Sequence, residues 1–285
     1  MQTLSTALRN AVDAGNPQRV LLVFTDQEFS NEDILISSGV ELNEKFNSEE
    51  DLTIGLTPSN ILTFTMLNDT GQLAEFEFGW FTAYLGARID SGTPTEITRT
   101  FTEGGATVTY AFAPIGTFYA DRPKIVVKKT IEVTAYDQML LFDEDMPTSA
   151  SLGITYPTTV GGIFQKMCDH FNITPKATNF LNNDLVVSSE PEDFGMATMR
   201  QVLGWIAECG CGNARFTRDG KLEIAWFNTT SKTYNERKYS EFSPAWYETE
   251  AINGLYYRNT SAGTETTNGT VKTNNYLLQD NPFLN

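Results

Sequence analysis

Three groups of residues are of types that could do chemistry. The first is sulfur and imidazole: Cys168 and His170 form a C-x-H pair, and Cys209 and Cys211 a C-x-C pair. Zinc ligands come at wider knuckle spacings such as C-x2-C, so the set reads as buried or unreactive thiols near helix ends. Three cysteines are also an odd count, which argues against a disulfide scaffold. His170 is the single histidine of the chain, and no Gly-x-Ser-x-Gly elbow accompanies it, so a histidine-based triad lacks its parts. The second group is carboxylates. Hydrolysis of a glycosidic bond needs an acid and a base or nucleophile, and two runs are dense enough to offer them: Glu190, Glu192 and Asp193, and Asp143, Glu144 and Asp145. Both fall in polar linkers, where a solvated acidic loop is the ordinary meaning. The third group is aromatic. Trp80 and Trp226 alternate with polar residues on strands, which places them in a core, while Trp246 and Tyr247 are the better candidates for an exposed contact with a sugar or a neighbouring subunit. The sequence therefore yields no catalytic, cofactor-binding or metal-binding residue and calls for no cofactor.

The elements that would position these residues change character along the chain. Residues 2–14 carry Leu4, Ala7, Leu8, Ala11 and Val12 on one helical face, ended by Gly15-Asn16-Pro17. So short a helix is marginal unless it docks, and it suits a terminal arm that touches a neighbouring subunit. Strand patterns follow at 20–24, at 29–36 through a polar turn, at 61–67, and at 75–80 with Phe76, Phe78 and Trp80 inward. Residues 41–50 read as a loop or short helical turn. Residues 89–103 and 107–113 give two more strands around Gly104-Gly105. In 125–134, Ile125, Val127, Ile131 and Val133 point one way, and Lys128, Thr130, Glu132 and Thr134 the other. Short strands at this spacing indicate an antiparallel barrel or sandwich. After Pro147 the period becomes helical. Val160, Ile163, Phe164, Met167 and Phe171 make one face, with Thr158 or Thr159 to cap it, and Met199, Val202, Leu203 and Ile206 make another, stopped by Gly210 and Gly212. A hairpin turns at Asp219-Gly220. The last part is polar, with strands at 240–246 and 252–257 and a mobile Thr/Gly/Asn loop at 261–275.

The fold class is thus α+β: an antiparallel β-barrel or sandwich, then a small α+β module, then the start of a second β-barrel. The expected division is an N-terminal helical arm at 1–19, a first barrel at 20–147, an α+β domain at 148–228 and a partial second barrel at 229–285. The 285 residues suffice for two cores. The formal net charge of −16 repels a phosphate backbone and excludes a nucleic-acid-binding role. No run reaches the roughly 18 apolar residues of a membrane span, and residues 1–14 lack the apolar stretch of a secretory signal, so synthesis and folding in a cytoplasm without a membrane anchor are expected.

Several phrases, in order, resemble baseplate hub and tail-associated (Tal-like) proteins of phages and prophages. They are Phe29-Ser30-Asn31-Glu32-Asp33-Ile34, Leu52-Thr53-Ile54-Gly55 with Pro58-Ser59-Asn60, and Val133-Thr134-Ala135-Tyr136-Asp137. Tyr156-Pro157, Arg200-Gln201-Val202-Leu203 with Ile206-Ala207, Asp219-Gly220-Lys221-Leu222, and a closing Asn281-Pro282 complete the set. The resemblance covers roughly residues 20–285 and rests on their order and spacing. It implies a structural part of a tail tip, two tube-like barrels with an α+β domain between them, and three copies closing a ring that continues the tail tube. It places the first barrel at 20–135, the intervening domain at 136–228 and the beginning of the second barrel at 229–285. The implied partners are other tail proteins (tail tube, distal tail, fibre or lysin), the implied assembly is a homotrimer in the virion tail, and no enzyme activity is expected. The competing readings are a tail-associated peptidoglycan hydrolase and a carbohydrate-binding receptor module.

Overall fold

The computed structural model describes residues 3–44, 53–69, 73, 76–120, 124–127, 129–225, 254–259, 266–268, 275–279 and 281–284. The first half is a nine-stranded antiparallel sheet. Its strands are β1 (Gln18–Phe24), β2 (Glu28–Ser30), β3 (Val40–Asn43), β4 (Ile61–Leu67), β5 (Trp80–Arg88), β6 (Ile97–Glu103), β7 (Ala106–Ala120), β8 (Lys124–Val127) and β9 (Thr130–Asp137). The main path runs β2-β1-β5-β7-β9-β4-β3, with β6 added on β7 and β8 on β9. The sheet curls without closing by a continuous ladder and is sandwich-like. Its two ends are stitched by residues 33–35: Leu35 N donates to Thr65 O (2.8 Å) and Leu67 N to Asp33 O (2.8 Å), around an isolated bridge between Ile34 and Met66.

Strand alternation builds the concave core. Leu22, Leu62, Phe64, Met66, Phe81, Ala83, Phe118, Ile131, Val133 and Ala135 are all buried in it. Phe24 lies at its rim, stacked on Phe81 with centroids 4.6 Å apart and met edge-on by Phe29 and Phe76. The long β7 bends to serve two partners, β6 along its first half and β9 at its end. The bend falls at a bulge opposite Ala83 and Tyr84. There Gly116 leaves room for the Phe118 ring, whose Cε2 would lie 2.5 Å from any Cβ at that position.

The opposite face of β1 and β5 is covered by the β6–β7 hairpin, which buries Leu21, Tyr110 and Phe112. Arg19 clamps this layer. Its guanidinium lies 4.3 Å from the Phe101 ring centroid and donates to Glu103 (2.9 Å) and Glu32 (2.5 Å), while Arg99 bonds Glu28 in two places. The helix α1 (Thr6–Asp13), capped by Ser5, packs Leu8 and Ala11 on Ala87, Ala111 and Ala113 of its own sheet. Three alanines let the helix approach closely.

The second half has its own core. Strand β10 (Thr158–Thr159) pairs with β11 (Val186–Val187), and β12 (Asn213–Phe216) with β13 (Leu222–Ala225). The helices are α2 (Val160–His170) and α3 (Met199–Cys209). Thr159 caps α2 by accepting from Gly162 N (3.0 Å), and Thr198 and Gln201 form a capping box on α3. Ile163, Phe164, Met167, Val202, Leu203 and Ile206 face each other in this core. Met139, Phe142, Met146, Leu152 and Ile154 also belong to it, so packing passes from one core to the other just after Ala135. Further on, β14 (Gly254–Asn259) lies between β15 (Thr266–Asn268) and β16 (Asn275–Gln279), antiparallel to the first and parallel to the second.

Four expectations need correction. Trp80 is not inward: it is 36% exposed, while Phe81 is 2% exposed. Residues 76–79 are not strand, so the alternation of Phe76 and Phe78 does not carry its phase into β5. Part of 41–50 is not a loop, because β3 pairs with β4 and rests Val40 and Leu42 on the core. Residues 125–134 are not one strand but the hairpin β8–β9. The loop expected at 261–275 contains β15. The strand expected at 240–246, with Trp226, Trp246 and Tyr247, lies outside the described residues.

Gly86 tests the two-layer packing. A Cβ there would meet Phe112 Cδ1 at 2.5 Å and the Ala111 carbonyl oxygen at 2.6 Å, whereas a Cβ at Gly79 would meet nothing within 4 Å. Gly86→Ala is expected to cost about 1–3 kcal/mol of unfolding free energy and Gly79→Ala less than about 0.5 kcal/mol, read by urea titration. Equal effects at the two sites would contradict the crossing of Phe112 over Gly86.

Candidate functional site

The two cores meet at a junction built from residues 53–60, which join β3 to β4. This segment carries polar backbone groups into a partly buried place, and each group needs a partner. Gly55 N donates to Gly212 O (2.9 Å), Ala214 N to Leu56 O (2.9 Å), and Leu56 N to Asn213 Oδ1 (3.0 Å), so the segment extends the β12–β13 hairpin at its β12 edge. Arg200, on the first turn of α3, then gathers the surrounding oxygens. Its guanidinium donates to Thr57 O (3.1 Å), Ser59 Oγ (3.1 Å), Met139 O (2.9 Å) and Asp143 Oδ2 (3.0 Å). Asn60 O accepts from Asp137 N (3.0 Å). At the far side Arg218 of the hairpin turn pairs with Glu44 (2.6 Å).

A cleft of about 290 Å³ opens along the junction, lined by Thr57, Arg200, Gln201, Trp205 and Glu208 over Gly55 and Gly204. Glu208 sits against Gly55, where a Cβ would fall 2.3 Å from its Cγ. The Asn281 amide donates to Glu208 Oε2 (2.6 Å) and to Trp205 O (2.9 Å). Phe283, 3% exposed, then packs edge-on against Trp205 and Phe194. Burial pushes the Glu208 carboxyl up to about 7, against the pull of the Asn281 bond. Asp137, 2% exposed, is pushed up to about 6 by burial, although Met139 N donates to its Oδ1 (3.1 Å). The cleft thus holds one near-neutral acid beside one fully engaged arginine. It lacks the second free carboxyl that a hydrolytic pair would need.

The residues singled out for chemistry are not brought together. Cys168, Cys209 and Cys211 are buried and unbonded, and burial pushes the first two thiols up to about 12, which leaves them protonated and unreactive at neutral pH. His170 is exposed at the end of α2, beside the Phe171 ring. Among the described residues no cluster of three His, Cys, Asp or Glu side chains could hold a metal ion. Glu190, Glu192 and Asp193 are exposed. Asp143, Glu144 and Asp145 are exposed too, but this stretch is anchored: Asp143 pairs with Arg200, Glu144 O accepts from Met199 N (2.9 Å), and Asp145 bridges to Thr198.

Sequence reasoning missed a row of aromatics. Trp80, Tyr119 and Tyr136 are consecutive cross-strand partners on β5, β7 and β9, and Ile61 of β4 continues the line. The Trp80 and Tyr119 rings lie 5.2 Å apart, edge to face. Tyr136 is 38% exposed, and among the described side chains Trp80 and Tyr136 are the exposed large aromatics. Only the phase of each strand could have revealed the row, and for Trp80 that phase was misread.

The two raised acids fix the sign of a pH dependence. Each folded-state value lies above its ordinary carboxylate value, so as the pH rises the unfolded chain gives up these protons before the folded one does, and folding is penalised. Their destabilising effect is absent near pH 4 and grows as the pH rises to about 7. Glu208→Gln keeps an oxygen for Asn281 and removes the charge. It is expected to match the parent at pH 4.5 and to exceed it at pH 8 by roughly 1–3 kcal/mol, allowing for solvent access to the cleft. Urea unfolding at the two pH values measures this, and an offset independent of pH would refute it.

No protein-family model matches the chain, and no curated protein does. Solved structures with a loosely similar course exist. One is the 43 kDa tail protein of prophage MuSo2 from Shewanella oneidensis, 13% identical at a TM-score of 0.45, over 92% of this chain and 72% of that one. Another is the tail protein from Neisseria meningitidis MC58, 13% identical at a TM-score of 0.47, over 93% of this chain and 72% of that one. Likeness of this order leaves function unassigned.

Proposed function

We propose that the chain is a structural, non-enzymatic component of a phage or prophage tail tip, a hub-like piece that attaches the tail tube to distal tail parts. One observation carries the reading. Phrases through which the sequence resembles hub proteins lie far apart in the chain and meet at one junction. Gly55, Ser59 and Asn60 meet Arg200 and Asp137 there, and Asn281 closes on α3 beside Ile206 and Ala207. Gly220 of the hairpin turn lies against Gln138. The resemblance therefore concerns how two cores are fixed to each other, which is what a connector between tail parts needs. The two solved tail proteins agree with the reading in name and add no weight at their level of likeness.

On this reading the sandwich-like first domain at 20–147 and the α+β domain at 148–228 form one wall segment of a trimeric ring, and 229–285 contribute to a second barrel. Partners are the tube, the distal tail, and a fibre or lysin. The charge of −16 suits a wall along which DNA must slide without sticking. Deleting the gene from the phage or prophage that encodes the chain is expected to yield tubes or particles lacking a tip by negative-stain electron microscopy, with tips restored by the wild-type copy. Normally tipped, infective tails from the deletion would refute the proposal. A cell-wall zymogram of the purified chain is expected to stay dark. A lytic band abolished by Glu192→Gln would move the protein to the hydrolase class.

A further inference from the structure

We propose that the outer face of β5, β7, β9 and β4 binds a neutral glycan chain along the row Trp80–Tyr119–Tyr136. The argument starts from what the row lacks. Among the described side chains, every other large aromatic is buried or half-buried. Two that are not stand in one register line, joined by the half-buried Tyr119. Neighbouring strands lie about 4.8 Å apart, so the rings offer a narrow track that crosses the strands.

The flanks of the track set the class of ligand. On the same face the next positions are threonines: Thr82 and Thr117, whose hydroxyl oxygens lie 3.4 Å apart and of which Thr117 borders Gly220 of the β12–β13 turn, and Thr134 opposite Thr63. The track is one ring wide and bordered by hydroxyls. A protein interface of ordinary size needs a broader apolar centre than this. A sugar chain is the complementary object, because its C–H faces are apolar and lie on aromatic rings, while its edges are hydroxyls that exchange hydrogen bonds with other hydroxyls.

Charge selects among glycans. On this face Glu132 stands across the ladder from Thr65 on one side and from Lys124 on the other. The basic groups of the adjoining hairpin turn are engaged, Arg218 with Glu44 and Lys221 with Asp219. A sulfated or phosphate-bearing polymer would be repelled by a chain of net charge −16. The ligand is therefore an uncharged polysaccharide.

The full chain titrated with cellohexaose and with chitohexaose, followed by tryptophan fluorescence and by isothermal calorimetry, tests this. Saturable binding of at least one hexaose is expected, weakened about tenfold or more in Trp80→Ala, the size of one lost stacking contact. Tyr136→Ser is expected to weaken it as well, and both variants should keep the parent's circular dichroism because the side chains are exposed. Dextran sulfate should not compete. The proposal is overturned if neither hexaose binds at millimolar concentration, if Trp80→Ala binds as the parent does, or if dextran sulfate is preferred. It is also overturned if light scattering shows a self-association that Trp80→Ala abolishes while the sugars stay inert, which would make the row a contact between copies. None of these results bears on the tail-tip reading, which rests on the junction.

Discussion

The arrangement of this molecule depends on the guanidinium of Arg200. Residues 53–60 contribute one well-buried apolar side chain, Ile54, 7% exposed, and would not hold a fixed course by hydrophobic packing alone. Their carbonyls and amides are satisfied instead by Arg200 and by the edge of β12. Arg200 is itself held by the Thr198 capping box that starts α3, so the position of the charge is set by helix geometry. A side chain with five donors in a rigid plane can bind four oxygens from two segments at once, and a lysine cannot. Asp143 supplies the countercharge. The partner segments come from both cores, and the orientation of one core relative to the other follows.

That junction explains the opposite behaviour of the carboxylates. Acids that meet an arginine or a hydrogen-bond donor near the surface are held below their ordinary range: Glu28 by Arg99, Glu44 by Arg218, and Asp219 by Lys221. Asp137 and Glu208 lie where the cores come together, and loss of water outweighs the bonds they accept. The surface acids lose their contribution as pH falls, and the two buried ones lose their protons as it rises. A protein of strongly acidic composition thereby carries its electrostatic strain at one internal seam, while its surface acids are either paired or solvated.

Legibility followed the range of the interaction. The helices α2 and α3, with their caps at Thr159 and Thr198, are written in contiguous residues whose period and capping chemistry agree, so both could be read directly. The hairpin at Asp219-Gly220 is equally local, with Gly220 at a φ of +73°. Strand phase was readable where alternation ran unbroken, as in β4. It failed at Trp80 because 76–79 are not strand, and four residues of irregular backbone erase a period of two. It failed at β8–β9 because Lys128 and Lys129 carry no strong turn signal and the alternation passes through them. The junction could not be read at all. Arg200 lies 143 positions from Thr57 and 61 from Met139, and nothing in the pattern around Arg200 says that its partners are backbone carbonyls. The ordered phrases of the hub resemblance were the only trace of it.

The same packing leaves a stretch of sheet open around one aromatic row. The concave face is filled by its own aromatic and aliphatic core. On the opposite side, β1 and the far half of β5 are roofed by the β6–β7 hairpin, held by Arg19 and Arg99. The helix α1 takes the alanine-lined end of β5 and β7. The β12–β13 turn reaches the other end, against Thr117 and Gln138. What is left is the outer side of β5, β7, β9 and β4 around one register line. Threonine would satisfy β-propensity at such positions and cost nothing in solubility, and it occupies the flanking ones. Trp80 and Tyr136 instead expose large rings on a face that neither core needs. Stability gives no reason for them, so the reason lies in what approaches that face from outside.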